Sequence, residues 1–177
     1  MRKILLLLFV FCASYSYAQK PLECDTIIEC PGMTSDKIYS KMKYFVADYF
    51  KSAQNVIQLD DKEEHHLLCK GNVRFEVKSL TWHMLDGVIN FTLDLQAKDG
   101  KYRIVMRDFS HESFDKKYGD SWSMGIVCSE VPDGFKKGKK QYNEMKKRAI
   151  PLIHDTMAMT IAKLSASIND KSSKSDW

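Results

Sequence analysis

Residues 89–107 read INFTLDLQAKDGKYRIVMR. Apolar and polar residues alternate on both sides of Asp99-Gly100, as they do in a β-strand that is buried on one face. Asp-Gly favours a two-residue type I′ turn, in which both central residues take a positive φ. The stretch therefore predicts an antiparallel hairpin whose apolar face pairs Ala97 with Tyr102, Leu95 with Ile104, and Leu93 with Met106.

The opposite face of the predicted hairpin is polar. It pairs Gln96 with Arg103 and Thr92 with Arg107, and it leaves Asp94 diagonal to both arginines. Ordinary cross-strand pairing explains these charges, and a polar binding platform explains them equally well. One apolar face and one polar face indicate an antiparallel sheet that is covered on a single side, and helices must supply the cover. We therefore predict an α+β fold.

Two segments have the apolar spacing of helices. Thr34 or Ser35 can cap the first helix, whose apolar face consists of Ile38, Met42, Phe45, Val46 and Tyr49. The second helix starts near Lys139, and Pro151 should kink it or divide it. The remaining predicted elements are short strands over 25–30, 56–59 and 124–128, one or two strands over 67–77 interrupted at Gly71, a charged turn over 60–64 and a polar loop over 110–120.

The first eighteen residues have the layout of a secretory signal peptide. Arg2 and Lys3 precede an apolar run over 4–12, and small residues precede a plausible cleavage site before Gln19. The run is shorter than the ~20 residues of a membrane-spanning helix, so we expect no transmembrane anchor after cleavage. The chain is expected to reach the periplasm, the cell surface or the medium. Residues 19–168 are then predicted to form one domain, followed by a frayed polar tail over 169–177.

Composition and motifs exclude several classes of function. The chain has 27 Lys+Arg against 23 Asp+Glu, and the first 18 residues hold two of the basic ones, which leaves about +2 after cleavage. This small excess argues against nucleic acid as a partner. His65 and His66 are adjacent and would point to opposite faces of a strand, and His111-Glu112 lacks the second histidine of a metal-binding helix. We therefore expect no metal, no cofactor and no recognisable catalytic residue.

Four cysteines follow the predicted cleavage site, namely Cys24, Cys30, Cys69 and Cys128. In an oxidising compartment they permit two disulfides. A strand over 25–29 would hold Cys24 and Cys30 about 20 Å apart, which disfavours that pairing. Four buried thiols that never pair are an equal alternative.

The remaining candidates for binding are aromatic or basic. Trp82 and Trp122 lie in irregular segments, where an exposed ring could stack on a sugar or on another protein, although burial is the more common environment of tryptophan. Lysines at 136, 137, 139 and 140, with 146–148, form the densest basic patch. That patch could contact acidic lipid headgroups or anionic glycans, and a solvated helix surface explains it as well.

Several of these motifs together resemble a known family. They are a short strand that ends in Pro31-Gly32, the aromatic-rich helix, the stretch NVIQLDDK over 55–62, Gly71, and the hairpin KDGKYR over 98–103. Over residues 25–109 the chain resembles the envelope proteins of domain-of-unknown-function family 4468. The resemblance implies a fold similar to that of the TATA-binding protein, a curved antiparallel sheet with two helices on one face. It implies no activity and no site, because function belongs to a site and not to a fold.

These observations favour a non-enzymatic exported domain that binds an envelope protein, a lipid or a glycan. Asp94, Arg103 and Arg107 on the open sheet face, with Trp82 and Trp122 in the adjoining loops, are the candidate binding residues. A carrier that holds a small apolar ligand between sheet and helices is a second possibility, since nine methionines would suit an adaptable lining. The third is a hydrolase of envelope polymers whose carboxylates cannot be recognised from sequence.

Overall fold

A computed structural model of the chain describes residues 21–50, 53–117, 122–131 and 138–170. The predicted signal peptide, Lys136, Lys137 and most of the predicted tail lie outside these residues. Within them the chain forms β1 (Cys24–Glu29), α1 (Ser35–Tyr49), α2 (Ala53–Val56), β2 (Ile57–Asp61), β3 (His66–Phe75), a 3₁₀ turn (His83–Leu85), β4 (Gly87–Lys98), β5 (Lys101–Ser113), β6 (Gly125–Ile126) and α3 (Lys139–Asn169).

The described strands form one antiparallel sheet in the order β1-β5-β4-β3-β2, with β6 paired to the far part of β5. Helices α1 and α3 pack on one face, as predicted. The core between the layers is made of fully buried side chains, among them Ile38, Met42, Leu93, Leu95, Ile104, Met145 and Ile153. Several methionines are therefore core residues. None of the described helices is long and apolar enough to cross a membrane.

The predicted hairpin is present in the predicted register. Ala97 pairs with Tyr102, and the other expected pairs follow. The prediction of a type I′ turn is wrong, because Gly100, with φ +73°, has a positive φ and Asp99 does not. A positive φ at the second central residue alone is the type II pattern. Contacts with the segment between β1 and α1 select it: the Cys30 N–H donates to the Gly100 carbonyl at 2.8 Å, and the Gly100 N–H donates to the Met33 carbonyl at 2.9 Å.

A β-bulge in β5 explains why the loop predicted over 110–120 is wrong at its start. Thr92 pairs with Arg107 but Asn90 pairs with Ser110, so β5 carries an extra residue at this point. Asp108, with φ 61°, lies within it. The bulge shifts the alternation by one position: the buried residues are 102, 104 and 106 before it and 109, 111 and 113 after it. A search for strict alternation of buried and exposed residues therefore does not recognise the last residues of β5 as part of the strand.

The predicted interruption at Gly71 and the predicted division of the second helix at Pro151 do not occur. Strand β3 runs through Gly71, where an added Cβ would lie 2.6 Å from the Phe50 ring, so the glycine makes room for aromatic packing. Helix α3 runs unbroken through Pro151. Pro151 lies on the exposed side of the helix, where the carbonyl that loses its partner can bond to water. The predicted last strand over 124–128 shortens to the two residues of β6.

The two ends of the sheet differ, and we name them separately. The hairpin end comprises the Asp99-Gly100 turn, the segment between β1 and α1, and the turn between β2 and β3. The loop end comprises residues 74–86, 112–117 and 139–148, which are the end of β3 with the loop after it, the end of β5 with the residues that follow, and the start of α3. The twelve residues of β4 separate the two ends by about 36 Å.

Candidate functional site

The face of the sheet turned away from the helices is the open face. Pairing of the strands arranges its side chains in rows that cross the sheet. One row contains Ile27, Arg103, Gln96, His66 and Asp61, and the next contains Asp25, Val105, Asp94, Leu68 and Leu59. A third contains Arg107, Thr92 and Lys70. All three candidate residues predicted for this face therefore lie on it.

Asp94 lies at the centre of the open face, and its side chain is only 13% exposed. Its carboxylate accepts hydrogen bonds from His66 Nε2 at 2.9 Å and Gln96 Nε2 at 3.2 Å, and Arg107 Nη2 lies at 3.7 Å. The predicted neighbourhood of Asp94 and Arg107 is thus present. His66 completes the group through the register of β3, which the hairpin pattern alone does not reveal.

Arg103 has a different partner from the one its diagonal position suggests. Its Nε and Nη2 atoms donate to the two carboxylate oxygens of Asp25 on β1, at 2.8 and 2.5 Å. This bidentate hydrogen bond lowers the pKa of Asp25 and raises that of Arg103. Because both side chains are about half exposed, the pair contributes little stability. It does hold the guanidinium in a fixed position on the surface.

Two apolar spots flank the Asp94 group. On one side Ile27 of β1 is 59% exposed and lies diagonal to Val105. On the other side Leu59 of β2 is 41% exposed and pairs with Leu68. Sequence reasoning misses both spots, although the alternation in β1 would reveal Ile27 once its register with β5 is known.

The two candidate tryptophans lie elsewhere. Trp82 packs half-buried against the core at the loop end, with Lys140 Nζ 5.7 Å from its ring centre. Trp122 also packs against the core, and its buried indole Nε1 has no hydrogen-bond partner among the described residues. Asp94, Arg103 and Arg107 therefore lie on the open face, whereas Trp82 and Trp122 pack against the core.

The four cysteines have free thiols. Burial raises the pKa of each thiol, for Cys69 to about 12. Cys24 and Cys69 share a row through Met106 and Leu93, so three strand spacings of about 4.8 Å separate them by roughly 14 Å. A disulfide needs Cα atoms within about 7 Å. This distance excludes the pair Cys24–Cys69, and the pairing of the cysteines otherwise stays a prediction.

Some titratable groups have structural partners. Buried His111 bonds through Nε2 to the Leu85 carbonyl at 2.8 Å, and its Nδ1 accepts the Met124 N–H at 3.1 Å. Asp60 accepts hydrogen bonds from Lys43 Nζ and from the Tyr39 hydroxyl, and these two bonds, the first more than the second, lower the pKa of Asp60. Among the described residues no group of three or more histidine, cysteine or acidic side chains could hold a metal ion.

The comparisons with known proteins agree with this architecture. The family model described as a domain of unknown function with TBP-like fold (DUF4468) matches residues 25–112. Residues 25–112 belong to the DUF4468 family. The predicted family and the TBP-like α+β fold are thereby confirmed.

Solved structures extend the likeness beyond the matched segment. A DUF4468 family protein from Bacteroides ovatus ATCC 8483 is 12% identical, with a TM-score of 0.57 over 87% of this chain and 90% of that chain. A TBP-like protein from Parabacteroides distasonis ATCC 8503 is 9% identical, with a TM-score of 0.54 over 82% of this chain and 93% of that chain. At these identities the likeness shows the fold alone. No curated protein matches the chain.

Proposed function

We propose that this DUF4468 chain is an exported, non-enzymatic binding domain that recognises another protein through the open face of its sheet. Export is proposed from the layout of residues 1–18. The observation that carries the proposal is the pair of exposed apolar spots at Ile27 and Leu59, separated by an ordered group of charges around Asp94.

Arg103 and Arg107 support recognition of a protein partner. Each is positioned by carboxylates before any partner arrives. Asp25 holds Arg103, and Asp108 accepts a hydrogen bond from Arg107 Nη1 at 3.0 Å, with Asp94 farther away at 3.7 Å. Arginine held in this way loses little conformational entropy on binding and is frequent in interfaces. The apolar spots supply area that binding can remove from water, at about 25 cal/mol per Å².

The two alternative functions have less support. A carrier needs space between sheet and helices, whereas large side chains such as Phe75, Phe109 and Tyr142 are fully buried there. A hydrolase needs a carboxyl group whose pKa is raised so that it can act as an acid. The pKa of Asp25, of Asp60 and of Asp99 is lowered, so these three carboxyl groups do not suit that role.

Site-specific photocrosslinking in the cells that produce the protein tests the proposal. A photoreactive phenylalanine replaces Ile27 or Leu59 on the open face, and Tyr44 or Met159 on the outer surfaces of the helices as matched controls, since all four positions are exposed. We expect a discrete protein adduct from positions 27 and 59 and none from positions 44 and 159. Adducts from the helix positions alone, or from none of the four, would contradict the proposal.

A second substitution distinguishes specific recognition from chance contact. Leu59→Asp lies across the face from position 27, so it should reduce the adduct at position 27 at least about fivefold. Tyr44→Asp, on the opposite side of the molecule, should leave that adduct unchanged. If both variants reduce the adduct at position 27 equally, the partner does not bind to the open face.

A further inference from the structure

The loop end exposes an apolar side chain on an ordered support. Residues 76–86 are closed at their base, where the Val77 N–H donates to Asp86 Oδ1 at 2.6 Å. Val77 and Leu85 are fully buried, and His83 Nδ1 bonds to the Leu80 carbonyl at 2.9 Å. Leu80 itself is 97% exposed. The Leu80 side chain therefore takes no part in the packing of the core.

A second apolar side chain lies next to this loop. Phe114 is 54% exposed, and its N–H donates to the Asp86 carbonyl at 2.8 Å. Arg74 Cζ lies 5.6 Å from its ring centre, just as Lys140 Nζ lies 5.7 Å from that of Trp82. Arg74 and Arg148 also line one groove between β3 and α3. Cations therefore lie near both rings of the loop end, and Arg74 also donates through Nε to Glu76 at 2.6 Å.

The net charge of the loop end is positive, whereas that of the hairpin end is negative. Residues 74–86, 112–117 and 139–148 contain nine Lys+Arg against five Asp+Glu. The segments at the hairpin end, residues 29–37, 60–66 and 98–101, contain four Lys+Arg against seven Asp+Glu. These segments carry about +4 and −3 charges at opposite ends of the sheet, which lie about 36 Å apart. An anionic surface would attract one end and repel the other.

The start of α3 points to a partner as well. Its N-cap is Gly138, which has no side chain that could cap the helix, and the first turn contains no acidic residue. Lys139 and Lys140 lie there instead, at the positive pole of the helix dipole, where cations are unfavourable. Helix stability does not explain these lysines, whereas an anionic partner does.

We propose that the loop end docks onto a bilayer surface that contains anionic lipid. Leu80 and Phe114 enter the boundary between headgroups and acyl chains, while Arg74, Lys140 and Arg148 contact the phosphates. Exposed apolar side chains surrounded by Lys and Arg are the combination that interfacial membrane binding uses. A polar anion such as a glycan would use the cations and leave Leu80 without a role. This docking is independent of the protein-binding proposal, because Ile27, Leu59 and the Asp94 group lie on the half of the sheet nearer the hairpin end and stay free.

Vesicle sedimentation with the full chain after removal of residues 1–18 tests the inference. The probes are vesicles of equal parts phosphatidylglycerol and phosphatidylcholine, compared with vesicles of phosphatidylcholine alone. We expect salt-sensitive binding to the anionic vesicles only. Leu80→Asp, and separately Lys140→Glu with Arg148→Glu, should each weaken it about tenfold or more. Matched controls at exposed positions outside the loop end, Met159→Asp and Lys101→Glu, should stay within about twofold.

Two readouts separate a bilayer from a soluble anion. Brominated acyl chains should quench Trp82 fluorescence, as judged by comparison with Trp82→Phe. Soluble glycerol phosphate should not displace the protein from vesicles. Circular dichroism and thermal unfolding check that Leu80→Asp stays folded, and Leu80→Ser is its milder counterpart. Binding that Leu80→Asp and Leu80→Ser leave intact, or that glycerol phosphate abolishes, overturns the proposal. So does equal binding to both kinds of vesicle, or binding to neither.

Discussion

The hairpin end and the loop end close the same sheet in different ways. At the hairpin end the turn is bonded to its surroundings: Gly100 exchanges backbone hydrogen bonds with Cys30 and Met33, and Asp99 Oδ1 accepts the Ser35 N–H at 2.7 Å. At the loop end Leu80 projects into water, and α3 begins without a side-chain cap. The first end has the features that stability demands. The second has features that stability does not explain, which is why we place a function there.

The base of the loop end is nevertheless fixed. Ser113 Oγ donates to the Met84 carbonyl at 2.7 Å, and His111 bonds to the carbonyl of Leu85 at 2.8 Å. Both residues reach the core side of β5 only because the bulge at Asp108 shifts the alternation. A rigid base under an exposed tip lowers the entropy that would be lost when the tip binds.

The sharpest test of this contrast compares a glycine at each end. An added Cβ at Gly87 would lie 1.9 Å from the Glu112 carbonyl oxygen, which belongs to the backbone and cannot move cheaply. At Gly100 nothing lies within 4 Å, and only the positive φ opposes a side chain. We expect Gly87→Ala to lower the free energy of unfolding by about 3 kcal/mol and Gly100→Ala by about 1 kcal/mol, measured by urea denaturation.

The reverse order would mean that the hairpin end, and not the base of the loop end, is the more tightly constrained part of the sheet. Equal losses would mean that the close approach of β4 and β5 at Gly87 relaxes when a methyl group is added. Either result would remove the distinction between a rigid base and an exposed tip.

Much of the fold could be predicted because its signals are local. The alternation over residues 89–107 and the two-residue turn determine the register of β4 with β5, and the spacing of apolar residues locates α1. The turn type could not be predicted, because contacts of Gly100 with Cys30 and Met33 select it. The bulge, the role of Gly71 and the continuity of α3 through Pro151 depend on packing between distant segments in the same way.

The candidate site could be predicted only in part, for the same reason. The hairpin pattern places Asp94, Arg103 and Arg107 on one face, since one turn relates them. It does not reveal that Asp25 binds Arg103 or that His66 binds Asp94, because those contacts come from the pairing of β1 and β3. The exposure of Leu80 depends on how a whole loop folds, and no local pattern marks it.

A lysine pair on α1 tests the hairpin end from the side of the helices. Buried Lys41 donates through Nζ to the carbonyls of Ser167 and Asp170, at 3.1 and 2.7 Å, and so caps the end of α3. Lys43 makes an exposed ion pair with Asp60. Lys41→Met should lower the free energy of unfolding by about 1–2 kcal/mol, and Lys43→Met by less than about 1 kcal/mol. Equal effects would show that the end of α3 does not depend on this cap.

The smallest effect expected is a pH dependence at the hairpin end. Asp99 belongs to the turn between β4 and β5, and its carboxylate contacts the start of α1. The hydrogen bond that it accepts from the Ser35 N–H lowers its pKa. Because the pKa is lower in the folded state, the stabilisation is present above the unfolded value of about 3.9 and is lost as the pH falls through the folded pKa. Asp99→Asn keeps an acceptor oxygen and removes the charge.

Thermal unfolding of Asp99→Asn and the unmodified protein should therefore differ most near neutral pH, with the variant less stable, and converge below about pH 4. Asp48→Asn, which removes an exposed carboxylate farther along α1, is the matched control and should show no such convergence. Equal stability of the variant and the unmodified protein at every pH would show that the oxygen of residue 99, and not its charge, holds the start of α1. The hairpin end would then owe its stability to geometry alone, whereas the loop end would remain the part of the molecule where charge matters.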